Sequence, residues 1–217
     1  MIWINPFAAI EKIISEKGRI DVLVNSAGYG LFGSLEDIPM EELKAQFETN
    51  FFGATRMIKA VLPVMRAQRS GIIVNISSGA GRIGYPTVSG YVSSKFALEG
   101  LSESLSYETD QFGIRTLLIE PGCVKTNFVN GIVHAKNASN SNSAYSTLLK
   151  KFQSNYYIAM QNAPTPEKVA KEIMHAITDE NPKLRYSVGE DVDMLLDARN
   201  RMSDSEFHNL LLQTVLH

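Results

Sequence analysis

The chain has 217 residues and a mass of 24.0 kDa, enough for one domain with a sizeable core. Hydrophobic residues make up 44% and charged residues 20%, and a net charge of -2 gives no basic excess for nucleic acid or an acidic membrane surface. Cys123 is the single cysteine, so no intrachain disulfide can form, which suits a reducing cytoplasm. His134, His175, His208 and His217 lack metal-ligand spacing, no apolar run is long enough to span a membrane, and MIWINPF does not read as a signal peptide. No metal, no nucleic acid and no membrane span are therefore expected.

Residues 8–16 carry Ala9, Ile10, Ile13 and Ile14 at helical period, and Gly18 ends that helix beside Lys17 and Arg19. Residues 20–24 (IDVLV) predict a strand. Asn25-Ser-Ala-Gly28-Tyr-Gly30 follows as a turn whose small residues let a ligand approach the backbone. There Asn25 can position neighbouring strands or a ribose. Two Gly-x-Gly-x-x-Gly runs occur, at Gly28, Gly30, Gly33 and at Gly79, Gly81, Gly84. Pro39 and Pro86 predict that the chain wanders before the next helix in each case, so neither run serves as a phosphate loop.

A long helix is predicted over 40–66, starting near Pro39 and bent or broken at Pro63, with Leu43, Phe47, Phe51, Met57, Ile58, Val61 and Leu62 on its apolar face. Asn50 is a polar residue in that face, and if buried it must be hydrogen-bonded. Residues 71–76 are a β-branched run bounded by glycine, read as a buried strand that ends at Ser77 and Ser78. From Tyr91 to about 111 the pattern is helical. Tyr91 and Lys95 are four apart and share a face, where an ammonium favours the anionic form of a phenol. Such pairs are also common on solvated faces. A strand over 114–120 leads to Pro121-Gly-Cys-Val-Lys-Thr126.

Residues 136–143 are a polar cluster read as a mobile loop, and Tyr145, Leu148, Leu149, Phe152, Tyr156 and Tyr157 then recur at helical spacing. The 128–160 stretch reads either as a lid over an apolar substrate or as an ordinary helix packed on the core. A helix opens at Pro166 and runs through Ile177. A last strand follows at 186–188, then a helix over 194–202, and Ser203 with Glu206 forms a capping box for the final helix. Alternating helices and strands imply an α/β fold, a doubly wound and mainly parallel sheet with helices on both faces. Ligands of such sheets sit beyond the carboxyl ends of the strands, so the loops after Val24, Ile76 and Glu120 should converge on one crevice.

Tyr91-x-x-x-Lys95 behind a strand ending in Ser78, Asn25-Ser-Ala-Gly28, Asn50 in ETNFFG, and Pro121-Gly122 with Thr126 occur in one order that resembles the short-chain dehydrogenase/reductase family. The resemblance runs from about residue 8 to about 191 of a single domain and matches strands four to seven of a Rossmann-like sheet. It implies an oxidoreductase moving a hydride between NAD or NADP and a carbonyl or secondary alcohol. Tyr91 would be the proton donor or acceptor, Lys95 would lower its pKa and hold the nicotinamide ribose, Ser78 would polarise the substrate oxygen, and Asn50 would hold a water in a proton relay. Asn25, Ala27, Gly28, Tyr91, Lys95, Pro121, Gly122, Val124 and Thr126 would line the cofactor.

The resemblance also implies a homodimer or homotetramer formed through the 40–66 and 91–110 helices. An apolar substrate fits the 128–160 region. The family's Thr-Gly-x-x-x-Gly-x-Gly phosphate loop and its first two βαβ units have no counterpart in these residues. The chain is thus expected to be an amino-terminally truncated piece of a longer enzyme, or a shortened homologue, that binds dinucleotide no more tightly than about millimolar because the few retained hydrogen bonds net little affinity. Two other readings remain: a non-catalytic partner subunit or scaffold, and an epimerase or dehydratase using the same Tyr and Lys.

Overall fold

The computed structural model describes residues 5–138, 140 and 142–216, the side chains of 215 and 216 excepted. Four parallel strands form its sheet in the order β1, β3, β4, β6: β1 is Val22–Asn25, β3 Gly71–Ile76, β4 Ile114–Pro121 and β6 Arg185–Val188. Register pairs Asn25 with Asn75, Ile76 with Ile119, and Pro121 with Val188. The carboxyl ends of all four strands therefore lie along one rim. The doubly wound parallel architecture matches the expectation from alternating elements.

Strand side chains alternate between the two faces. Ile73 and Ile114 face a core made with Ile10, Ile58, Val61, Met65 and Leu105. These come from α1 (Pro6–Lys17), α3 (Ala54–Gln68) and α4 (Ser89–Thr109). Val74, Leu117, Ile119, Tyr186 and Val188 face the opposite core, covered by Val169, Ile173, Ala176 and Ile177 of α6 (Pro166–Thr178). Asn5 caps α1 through its side chain, and Gly18 ends it in the left-handed region with its N–H on the Ile14 carbonyl at 2.9 Å. At the other end of the chain, α7 (Glu190–Arg201) leads into α8 (Asp204–Leu216). Ser203 N–H donates to Glu206 at 2.9 Å, as the capping box requires.

The first strand begins two residues later than expected, since Ile20 is drawn into the helical core instead and its N–H donates to the Gln68 side chain. The expected single helix over 40–66 is two helices, α2 (Met40–Phe47) and α3, joined by a wide π turn at Glu48–Gly53. Pro39 stands just outside α2 as its cap. Pro63 does not break α3: a proline removes one ladder bond, and the buried Ile58, Val61 and Met65 around it hold the helix to the sheet. The helix after β6 starts at Glu190, not Met194, where Glu190, Asp191 and Asp193 favour its amino end.

Two short strands escaped sequence reading altogether. β2 (Leu31–Phe32) pairs in parallel with β5 (Val133–His134) beyond the rim of the main sheet. Two-residue strands have no periodicity to detect. Around them a third core gathers Leu31, Phe32, Ile38, Val88, Ala135, Ala138, Leu149 and Phe152. The last two belong to α5 (Ser146–Gln161), whose Phe152 and Tyr156 rings lie 5.7 and 5.5 Å from the ring of Phe32. The expected loop over 136–143 is anchored in its described part: Ala135 and Ala138 are buried, and Ser143 donates to Asp37 at 2.7 Å. Ser139 and Ser141 lie outside the described residues.

Candidate active site

Asn25 ends β1, and its side-chain N–H donates to Asn75 Oδ1 at 2.8 Å. Asn75, wholly buried in β3, passes the contact on by donating to Ser102 of α4 at 2.8 Å. Asn25 thus takes the first of the two roles open to it and ties neighbouring strands together. Asn75 was missed in the sequence, although a polar residue inside GIIVNI was the available sign. The chain then turns through Ala27 and Gly28 toward Asn50. A Cβ on Gly28 would stand 3.3 Å from Asn50 Oδ1 and 3.7 Å from Lys95 Nζ.

The π turn carries Asn50 to that spot. Its amide accepts from Tyr29 N–H at 3.1 Å and donates to the Tyr29 carbonyl at 3.0 Å and to Ser94 Oγ at 3.1 Å. An α-helical turn would rotate the side chain off this loop. Gln46, another buried residue, also donates to the Tyr29 carbonyl, at 2.8 Å. The turn after β1 is held by two side chains from one interrupted helix.

Ser78 follows β3 and caps a short 3₁₀ turn, its hydroxyl accepting from Ala80 N–H at 3.1 Å. The same hydroxyl donates to the Pro121 carbonyl at 3.4 Å and lies near enough to the Tyr91 phenol to favour its anion. Ser77, its neighbour, is buried and points elsewhere, toward Gly81. Tyr91 and Lys95 share the inner face of α4, with the ammonium 5.8 Å from the phenol ring centroid. Lys95 Nζ donates to the Ile76 carbonyl at 2.8 Å. Neither glycine run opens into an α-helix: the first enters β2 and a 3₁₀ turn, the second a 3₁₀ turn and a loop.

Burial pushes the Tyr91 phenol up to about 12, while the nearby Ser78 hydroxyl pulls the other way. Desolvation is the largest influence on the phenol, and in the free protein it holds Tyr91 above its ordinary range rather than below it. Burial lowers Lys95 to about 8, against the attraction of Glu99 one turn along α4. At neutral pH Tyr91 keeps its proton and Lys95 its charge.

Pro121 and Gly122 leave β4 at the same rim. Cys123 N–H donates to Asp191 at 2.8 Å, and a Cβ on Gly122 would collide with both Asp191 carboxylate oxygens. That loop is therefore seated by a carboxylate of α7 which no motif singled out. Val124 is half-buried, whereas Thr126 is exposed and accepts from Phe128 N–H at 3.2 Å. The Phe128 ring lies 5.8 Å from that of Tyr91. So Gly28, Asn50, Ser78, Tyr91 and Lys95 converge, Pro121 and Gly122 border them, and Thr126 faces solvent.

The nicotinamide end of a dinucleotide fits this set. Lys95 has three N–H donors, of which Ile76 takes one, and the bare Gly28 backbone leaves a cradle next to them that any Cβ would fill. Among the described residues there is no cluster of metal-ligating side chains and no helix long and apolar enough to cross a membrane.

The model of the short chain dehydrogenase family matches residues 6–137. An uncharacterized oxidoreductase of Schizosaccharomyces pombe is 37% identical, over 92% of this chain and 83% of its own. A 3-ketodihydrosphingosine reductase of Bacteroides thetaiotaomicron is 40% identical, over 86% of this chain and 69% of its own. A crystallised short-chain dehydrogenase from Streptomyces avermitilis superposes with a TM-score of 0.80 at 34% identity, covering 94% of this chain and 73% of that one. ElxO, solved with NADP bound, superposes with a TM-score of 0.67 at 29% identity, covering 84% and 71% respectively. A parallel sheet with its serine, tyrosine and lysine at one rim, together with identity over most of several relatives, places the chain in the short-chain dehydrogenase/reductase family of oxidoreductases.

Proposed function

We propose that the protein interconverts an apolar carbonyl compound and its secondary alcohol with NAD or NADP, Tyr91 handling the substrate proton. The observation that carries this reading is the half-buried Tyr91 at the carboxyl rim of the sheet, its phenol near the Ser78 hydroxyl and its ring 5.8 Å from the Lys95 ammonium one helical turn on. When bound, the nicotinamide supplies or accepts the hydride. A substrate oxygen placed between Ser78 and Tyr91 would be held by two hydrogen bonds, the Ser78 hydroxyl turning to it from the Pro121 carbonyl 3.4 Å away. Tyr91 donates its proton to that oxygen as charge builds there, and Lys95 stabilises the phenolate left behind. Asn50 keeps the Gly28 turn in place beside Lys95.

The wall beyond the rim is aromatic: Phe32, Phe152, Tyr156 and Phe128 stand on the Tyr91 side. Such a wall suits a flat or long apolar substrate, the class named by the sphingosine-type relative. In this reading the 128–160 segment covers the substrate. Because Tyr91 holds its proton and Lys95 its charge at neutral pH, ketone reduction is expected to change little between pH 6 and 7, whereas alcohol oxidation, which needs the phenolate, should rise with pH. Initial rates in both directions, at saturating NADPH or NADP and then NADH or NAD, with long-chain and short polar ketones, test it. Equal rates on polar and apolar ketones would remove the apolar assignment, and no turnover with any of them would remove the reading.

The same reading makes the protein a homodimer or homotetramer through the π turn and α4, where Phe52, Phe96 and Tyr107 are exposed. Light scattering at micromolar concentration should give at least twice the monomer mass.

A further inference from the structure

Behind Lys95, on the side away from Tyr91, lies a group of charges that the chemistry above does not use. Glu120 is the next-to-last residue of β4 and Glu99 stands on α4, 2% and 4% exposed. Arg185 of β6 donates through Nε to Glu99 at 2.9 Å and reaches Glu120 at 3.4 Å, while its NH2 donates to Glu103 at 2.6 Å. Arg82, from the loop after β3, meets Glu120 at 3.4 Å. Three carboxylates thus face two guanidiniums. The unbalanced negative charge sits one helical turn from Lys95, the next residue on the same buried stripe of α4.

We propose that this cluster is the counter-charge of Lys95 and that protonation of Glu120 withdraws it. With every carboxylate ionised, Lys95 brings positive and negative groups to equal number. With Glu120 neutral, Arg185 is left to Glu99 and Glu103, and the Glu99 carboxylate, the one that draws on Lys95, has less charge to spare for the buried ammonium. Burial first, and the Glu99 carboxylate next, push Glu120 up to about 7 against the pull of Arg82 and Arg185. The geometry leaves room for a proton: Glu99 Oε1 and Ser77 Oγ are buried without a partner among the described residues, and both lie within 3.3 Å of where a Cβ on Gly81 would stand.

The other groups facing the cluster are few. Tyr107 donates to Glu103 at 3.4 Å. On the far side of Lys95 stand Tyr91 and the uncharged Asn50. Cys123 and Tyr85 lie nearer Tyr91, and burial pushes both upward, Cys123 to about 12, so neither changes charge near neutral pH. Asp191 is spent on Cys123 N–H. Among these groups Glu120 is the one that burial brings to titrate near neutral pH, and it reaches Lys95 through Glu99 and the Arg185 they share.

This inference rests on the catalytic reading only for its effect on turnover, and its test uses the free protein. Carbon-13 NMR with labelled lysine and glutamate should show the Glu120 carboxyl titrating near 7, and the Lys95 resonance, assigned by its loss in Lys95→Arg, should move within that same step. Glu120→Gln should erase the step and lower the Lys95 midpoint by about one unit, a tenfold loss of proton affinity. Stability supplies a second readout. The folded chain keeps a proton on Glu120 that the unfolded chain has released, so the unfolding temperature should fall as pH rises from 4.5 to about 7, and Glu120→Gln should flatten that fall. A Lys95 curve with no inflection in the Glu120 step, or a midpoint unchanged in Glu120→Gln, overturns the proposal. If the variant fails to fold, the Lys95 curve of the unmodified protein decides alone.

Discussion

Tyr91→Phe should lower turnover by about 10²–10⁴-fold at saturating cofactor, the range of a positioned general acid. The ring and its packing against Phe128 remain, so the loss isolates the hydroxyl. Cofactor affinity should stay near normal, because Lys95 still presents its ammonium from the Ile76 carbonyl. Steady-state kinetics beside a binding titration separates the two quantities. Lys95→Ala, by contrast, should damage both, since the proposed mechanism sets one ammonium beside both the nicotinamide ribose and the phenol. If Tyr91→Phe kept more than a third of the rate, the proton would have to come from elsewhere.

Asn75→Ala is expected to destabilise the fold by about 2–3 kcal/mol, although Asn75 touches no reacting atom in the proposed mechanism. Its amide is wholly buried and makes two side-chain hydrogen bonds, accepting from Asn25 and donating to Ser102. Asn25 is half-exposed and can turn to water, and Ser102 keeps its own bond to the Leu98 carbonyl at 2.7 Å. The cost therefore comes mainly from the vacated space and one unmet contact. Because domains are stable by only about 5–15 kcal/mol, this is a large share. Calorimetry should show the unfolding temperature lowered by about 4–12 °C. A shift under about a degree would mean that the strand ends are held by their backbone ladder alone.

How far the chain could be read from its residues differs from element to element. Strands β3 and β4 were legible because burial on both faces demands uninterrupted β-branched and aliphatic runs. The Gly18 cap and the Ser203–Glu206 box were legible because each is a local arrangement of a few neighbouring residues. The interruption at Glu48–Gly53 was not, since the poor helix formers of ETNFFG say nothing of a π turn and the contact it serves, Asn50 with Tyr29, is distant in sequence. Within the site, Tyr91, Lys95 and Ser78 stood out through motif and spacing. Asp191 and Phe128 did not: each acts through a contact across the rim, and nothing in its own neighbourhood marks it.

The Phe47–Ala54 junction also bears on how the chain tolerates changes in length. A π turn behaves as a helix with one residue in excess, and each residue of a regular helix turns the chain through about 100°. Removing a single residue between Glu48 and Gly53 would restore uniform winding and keep every hydrophobic residue of the flanking helices. It would also leave Leu43 and Gln46 near their present phase relative to Val61 and Met65, because five residues at about 100° each turn the chain through nearly the same angle as the six of the wider turn. What the deletion takes away is the bulge that carries Asn50 to the Tyr29 backbone. The extra residue thus serves the site rather than the winding, and a library of single-codon deletions across residues 40–68 should find those within Glu48–Gly53 the best tolerated for folded protein and still deficient in activity.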